Sequence, residues 1–230
     1  IFHRHFYDIG DFLEPGDLLV RNQTRVIPAR IYARKADSGG KVEILLLRRL
    51  APDTWEALVG GKRVRQGMKL ALSETLNAEV LAVYDNSRRL IQFDGPFESF
   101  LQQNGNMPLP PYIHETLKNP ERYQTVYSKT DQTGSAAAPT AGLHFTSERI
   151  ERLEKQGIHF ADVTLHVGLD TFQPVTEENP ETHHIHKEWC EMTAEVSRQI
   201  VETKRQGHRV IAVGTTSART LESAAQAAIN

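Results

Sequence analysis

Cysteine is almost absent. Cys190 is the only one in 230 residues, which excludes an internal disulfide framework and fits a reducing compartment. Long apolar runs are missing too. No stretch is long enough to span a bilayer and no signal-peptide pattern is visible, so the expected location is the cytoplasm, away from membranes. The formal net charge is only −2, so any nucleic-acid contact must come from a local patch, not from a global basic field. The usual phosphate-holding turns are lacking as well. No G-x-G-x-x-G follows a strand, and there is no P-loop. Internal repeats and low-complexity tracts are absent. With 39% apolar and 24% charged residues, the remainder describes a globular protein of one large domain or two small ones.

What is present falls into two patterns. Pro15-Gly16 marks a turn before apolar patches at Leu18-Leu19-Val20 and Val26-Ile27. Lys41–Leu47 alternates as a strand between Ser38-Gly39-Gly40 and Pro52-Asp53. Short strand-like runs follow at Trp55–Val59, Met68–Leu72, Ala78–Tyr84 and Leu90–Phe93, punctuated by Gly60-Gly61, Gly67 and Asp85-Asn86-Ser87. This spacing predicts a small antiparallel barrel or sandwich, inserted at about residues 32–95. After Gly95 the period changes. Phe97–Gln103 reads as a helix ended by Asn104-Gly105, and Met107–Ile113 as a proline-rich extended loop. Ser147–Gln156 is a charged amphipathic helix, capped by Thr146 or Ser147 and stopped by Gly157. Ile158–Val167 and His208–Val213 read as strands, Thr193–Gln206 and Thr215–Ala228 as helices. Strands alternating with helices argue for an α/β domain.

The chemistry gathers in four segments. The first is Gly134-Ser135-Ala136-Ala137-Ala138-Pro139-Thr140-Ala141-Gly142-Leu143-His144-Phe145. It has too little apolar bulk for core packing alone. Small residues let a backbone close on a ligand, so it reads as a pocket wall bearing His144. The plain alternative is a tight turn in which His144 caps a helix or bonds backbone. The second runs from Val163-Thr164-Leu165-His166-Val167-Gly168 to Val175. It places His166 at a strand end beside a glycine, a common ligand position in α/β sheets and also a place for a satisfied edge histidine. The third is His183, His184, His186 and Glu188. Two histidines and a carboxylate can hold zinc or iron. The spacing matches no recognised ligand pattern, however, and Cys190 is unaccompanied. Acid–base work or ligand hydrogen bonding is expected there, with Glu188 orienting an imidazole, and no metal. The fourth, Val210–Ser217, reads as a strand, a glycine turn and a hydroxyl-rich helix start. Its free N–H groups attract an anion, or Thr216 or Ser217 simply caps it. Arg219 follows within the first turn.

Basic residues recur in and around the predicted insert: Arg25, Arg30, Arg34 and Lys35, then Lys62, Arg63 and Arg65, then Arg88-Arg89. Most such runs are solvated faces. Three in one small β insert make a candidate phosphate-binding face.

These segments, together with Gly16–Arg30 and with Met107–Ile113 followed by Arg122–Tyr127, resemble the S-adenosylmethionine:tRNA ribosyltransferase-isomerase family, which makes epoxyqueuosine in tRNA. The likeness runs over nearly the whole chain. It differs at Asn22-Gln23-Thr24, where the family has Asn-Asp-Thr or Asn-Asn-Thr, and at Asp170-Thr171-Phe172, where it has Gly-Thr-Phe. The resemblance implies an α/β catalytic domain, residues 1–31 and 96–230, interrupted by a smaller antiparallel β-barrel domain, residues 32–95. It implies further segments at both ends. It implies transfer and isomerisation of the ribosyl part of S-adenosylmethionine, used as substrate, onto 7-aminomethyl-7-deazaguanine at the tRNA wobble position. Adenine and methionine leave. On this view His144, His166, His183, His186 and Glu188 are the candidate catalytic groups, with no assignment among the histidines. Pro139, Thr140, Gly142, Gly168, Thr215, Thr216, Ser217 and Arg219 are the candidate S-adenosylmethionine contacts. Arg25, Arg30, Lys62, Arg63 and Arg65 are the candidate tRNA contacts. A monomer with no obligate protein partner is expected. The rival classes are a metal-dependent hydrolase built on the His/Glu cluster and a non-catalytic RNA-binding module built on the β insert.

Overall fold

A computed structural model describes residues 2–84, 87–109, 113, 117–168 and 188–229. The strands in chain order are β1 (Leu18–Asn22), β2 (Arg25–Val26), β3 (Arg30–Lys35), β4 (Lys41–Ala51), β5 (Thr54–Gly60) and β6 (Lys69–Ala71). They continue as β7 (Asn77–Val83), β8 (Arg88–Phe93), β9 (Thr133–Ser135), β10 (His159–Leu165), β11 (Cys190–Glu191) and β12 (Val210–Val213). The α-helices are α1 (Phe97–Asn104), α2 (Ser147–Lys155), α3 (Ala194–Arg205) and α4 (Gly214–Ile229). The chain divides into two compact units.

One unit is built on Val26–Leu117. Its strands β3-β4-β5-β8-β7-β6 close into an antiparallel barrel, with β6 pairing back onto β3. Closure settles the choice between barrel and sandwich, and it leaves no open sheet edge to template aggregation. The alternation read in the sequence is the cause. Ile31 and Ala33 on β3, Val42, Ile44 and Leu46 on β4, and Ala57 and Val59 on β5 all point inward and are buried. Strand β4 outruns the predicted Lys41–Leu47 and continues to Ala51. Register shifts at Leu46/Arg48 and Arg49/Ala51 turn Arg48 and Arg49 to solvent, so charge does not end the strand. Helix α1 closes one side: Phe97 stacks on Phe93 at 3.6 Å, and Leu101 is buried beside it.

The other unit gathers Ile1–Arg25, Lys118–Val167 and His186–Asn230. Its sheet has the order β11-β10-β1-β12, with β1 parallel to both β10 and β12 and β11 antiparallel to β10. The run Leu18-Leu19-Val20 is apolar on both sides because both faces are covered. Leu18 and Val20 pack with Ala161, Val163 and Val196 of α3. Leu19 packs on the other face with Phe145, Leu153 of α2 and Ile158. Each fully buried Leu or Ile side chain of this kind contributes about 1.5–3 kcal/mol. The helix starts follow sequence rules. The Thr146 hydroxyl accepts the Arg149 amide at 3.2 Å, and Thr193 accepts that of Val196 at 3.3 Å. Asp17 pins the starts of β1 and β12 together. Its carboxylate accepts the amide of Arg209 at 3.1 Å and the guanidinium of the same residue. Those bonds hold the Asp17 carboxyl down at about 2. Among the described residues, no helix is long and apolar enough to cross a membrane.

Candidate active site

The C-terminal end of β10 carries the site. The strand runs out at Leu165, and His166 follows at the edge, half-buried. Three residues at the end of β1 and just past it hold it there. Asn22 is fully buried and extends the sheet with its side chain: it donates to the Leu165 carbonyl at 2.9 Å and accepts the Leu165 amide at 3.0 Å. Gln23 donates to Thr164 Oγ1 at 3.1 Å. Thr24, itself buried, places Oγ1 2.8 Å from His166 Nδ1. The backbone of His166 is fixed as well, its amide donating to the Trp189 carbonyl at 3.0 Å.

Two further elements wall the imidazole. Trp189 stacks on it with centroids 4.9 Å apart and planes 23° apart. Gly134 lies against it from β9. A Cβ built on that glycine would fall 2.8 Å from Nε2 and 3.0 Å from both flanking carbons. Those near-equal distances put Gly134 over the ring rather than at its edge, so only glycine fits. The small-residue segment then runs on beside the strand end. Ser135 Oγ accepts the Val167 amide at 2.9 Å, and the Ala136 amide donates to the Val167 carbonyl at 2.9 Å. The first two motif segments are thus laced together around His166. Burial lowers the imidazole pKa, which favours the neutral ring.

The rest of the small-residue segment faces α4. Pro139 is buried and Thr140 exposed, and a single 3-10 turn spans Thr140–His144. Gly214, at φ +82°, would bring a Cβ to 3.0 Å from Ala141 Cβ, so the first residue of α4 touches that turn directly. Thr215 is exposed. The Thr216 hydroxyl is buried with no hydrogen-bond partner among the described residues. Ser217 is fully buried and donates to the Val213 carbonyl at 3.0 Å, one turn back, so it does not cap the helix. Arg219 pairs with Glu188 at 2.9 Å. Glu188 therefore lies beside α4, one residue before the tryptophan that stacks on His166.

Other candidates sit elsewhere. His144 is exposed and packs on Phe6, centroids 5.2 Å apart. Gly142 has a packing reason of its own, since a Cβ there would lie 2.0 Å from the Tyr127 hydroxyl. Burial pushes that phenol up to about 12, and Arg21 stacks over its ring at 4.3 Å. Gly168 is half-buried just beyond Val167. His183, His184 and His186 lie outside the described residues, as do Asp170, Thr171 and Phe172. Among the described residues, no group of three or more His, Cys, Asp or Glu is placed to hold a metal. Arg25 is ion-paired with Glu121 and donates to Ser128 Oγ at 3.1 Å. Arg30 faces Glu43 at 3.3 Å. Lys62, Arg63 and Arg65 are exposed in the barrel unit, and no carboxylate among the described residues pairs with them.

The sequence reading did not assign roles to Asn22, Thr24, Gly134 or Trp189. The only signal for the first two was their place in Asn22-Gln23-Thr24.

The model of the queuosine biosynthesis protein family matches residues 1–230. The chain belongs to that family. Relatives named S-adenosylmethionine:tRNA ribosyltransferase-isomerase include those of Staphylococcus haemolyticus, 48% identical over 97% of this chain, and Clostridioides difficile, 51% identical over 97%. That of Desulfitobacterium hafniense is 49% identical over 98%. The chain spans 66 to 67% of the length of these relatives. Among solved structures, the S-adenosylmethionine tRNA ribosyltransferase of Thermotoga maritima is 36% identical, with 97% of this chain and 61% of that one covered and a TM-score of 0.39.

Proposed function

We propose that this protein transfers and isomerises the ribosyl moiety of S-adenosylmethionine onto 7-aminomethyl-7-deazaguanine at the tRNA wobble position, giving epoxyqueuosine, adenine and methionine. The observation that carries the reading is His166. It is an imidazole that burial biases toward its neutral form, tied by Thr24, stacked by Trp189 and walled by the small-residue segment. The reaction needs such a group. A sulfonium acidifies the carbon beside it, so a positioned neutral base can take a proton there. The acceptor amine must be neutral to attack, and the departing adenine needs a proton. His144, His183 and His186 are the remaining candidates for these proton transfers, with Glu188 as an orienting carboxylate. All the steps named are proton and group transfers within reach of imidazole, so the activity needs no metal and survives chelation.

S-adenosylmethionine binds, on this reading, along Pro139, Thr140, Gly142 and Gly168. Its methionine carboxylate meets the N–H groups of Thr215, Thr216 and Ser217 at the start of α4. Arg219 adds charge nearby. Calorimetry checks this: an analogue without the carboxylate should bind more weakly, and equal affinity would count against the site. The tRNA is held through Arg25, Arg30, Lys62, Arg63 and Arg65. The protein, a larger α/β domain interrupted in sequence by the barrel domain, acts as a cytoplasmic monomer.

The deciding assay is mass spectrometry of tRNA incubated with the protein and S-adenosylmethionine. His166→Ala should lower turnover by ~10²–10⁴ while tRNA affinity stays near the wild-type value. Wild-type turnover in that variant would remove His166 from the chemistry.

A further inference from the structure

A neutral histidine has two tautomers, and only one leaves a given nitrogen free to accept a proton. Thr24 Oγ1 is placed to choose. It lies 2.8 Å from His166 Nδ1 on one side and donates toward the Gln132 carbonyl at 3.4 Å on the other. A hydroxyl has one hydrogen. If it pointed at Nδ1, the hydroxyl oxygen would face the Gln132 carbonyl oxygen lone pair to lone pair. Thr24 is 1% exposed, so water does not relieve that contact. If Nδ1 carries the proton, both bonds form: Nδ1–H donates to Thr24, and Thr24 donates to the Gln132 carbonyl. The second bond is long, but it exists in this arrangement alone.

We propose that Thr24 is the positioning residue of His166: its hydroxyl accepts from Nδ1–H and donates to the Gln132 carbonyl, leaving Nε2 as the unprotonated nitrogen that takes a proton from substrate. Asn22 and Gln132 serve the same end from either side. Asn22 Oδ1 accepts the Thr24 amide at 3.1 Å while holding the end of β10. Gln132 Oε1 accepts from Thr164 at 3.0 Å, which fixes the stretch that offers its carbonyl. Gly134 contributes by absence. With no Cβ over the ring, the imidazole keeps the plane in which Nδ1 meets Thr24. The catalytic use of Nε2 rests on the function proposed above, whereas the tautomer does not.

The test is therefore spectroscopic first. In ¹⁵N-labelled protein, long-range ¹H–¹⁵N correlation separates protonated from bare ring nitrogens, and His166→Gln identifies the His166 signals by their loss. At a pH above its titration, His166 should show a protonated Nδ1 and a bare Nε2. A protonated Nε2 in the wild type overturns the proposal. Thr24→Val should shift the population toward the other tautomer and lower kcat by at least about tenfold, a part of the ~10²–10⁴ available to the imidazole, with KM for S-adenosylmethionine little changed. Thr24→Ser should restore both. Unchanged tautomer and kcat in the valine variant would also overturn it. Should that variant fail to fold, the wild-type tautomer and the serine variant decide. Wild-type turnover in His166→Gln would instead strike at the proposed function and leave the tautomer result standing.

Discussion

Two glycines of the same small-residue segment have distinct tasks in the folded chain. Gly134 gives its space to the His166 ring, and Gly142 gives its space to the Tyr127 hydroxyl. The difference is testable at Gly142. A methyl group 2.0 Å from that hydroxyl cannot be accommodated without movement, so Gly142→Ala should destabilise the protein by about 1–3 kcal/mol. Removing the hydroxyl with Tyr127→Phe should recover much of that loss in the double variant, since the two groups are in direct contact. Denaturant unfolding of the four proteins in the cycle reads the coupling. Additive effects would mean that something other than the hydroxyl excludes the methyl group. His166 was legible as a candidate because a strand end and a following glycine mark it in the local sequence. Thr24 was not, because its partner is 142 residues away and no local pattern announces a bond across a parallel sheet.

Between elements, the same distance effect separates what could be read from what could not. The barrel strands announce themselves through alternation, and each helix announces its cap, because those signals act within a few residues. The order β11-β10-β1-β12 and the joining of β1 to β12 depend on contacts between chain ends. Asp17 and Arg209 make one of them, and it should appear in the pH dependence of stability. The folded-state pKa of Asp17 is lowered to about 2, chiefly by side-chain hydrogen bonds from Arg209, while an unfolded Asp titrates at about 3.9. The unfolded chain thus binds the extra proton first as pH falls. The bond contributes fully above pH ~5 and is lost progressively as pH drops toward 2. Asp17→Asn should therefore be less stable than wild type at neutral pH, and its deficit should shrink between about pH 5 and pH 3. A deficit that stays constant over that range would show that Asp17 acts through packing alone.

Over the whole molecule, charge is unevenly shared. Residues 30–94 hold twelve Lys and Arg against eight Asp and Glu, a net of +4 in a chain whose total is −2. The negative excess therefore lies outside the barrel strands, and any broad attraction for a polyanion belongs to those strands. Within the barrel the charges are unequal too. Arg30 faces Glu43, and Arg48 and Arg88 both face Glu56, so part of the positive charge is locally compensated. Lys62, Arg63 and Arg65 are exposed, and the Arg63 backbone takes a positive φ of 59° to turn the loop between them. Positive φ costs a non-glycine residue roughly 1–2 kcal/mol, which leaves the loop's shape as a feature the barrel sustains against strain. Counterion release gives these three cations a measurable signature. Each phosphate they neutralise adds ~0.7–0.9 to the slope of log affinity against log salt. Replacing all three with glutamine should flatten the slope for tRNA by about 2–3 and weaken binding most at low salt. S-adenosylmethionine affinity should hold, because the His166 site belongs to the other unit. Fluorescence titrations with tRNA across a salt series read the slope directly. A triple variant with the wild-type slope would show that tRNA does not use this loop, and would assign its charges to solvent.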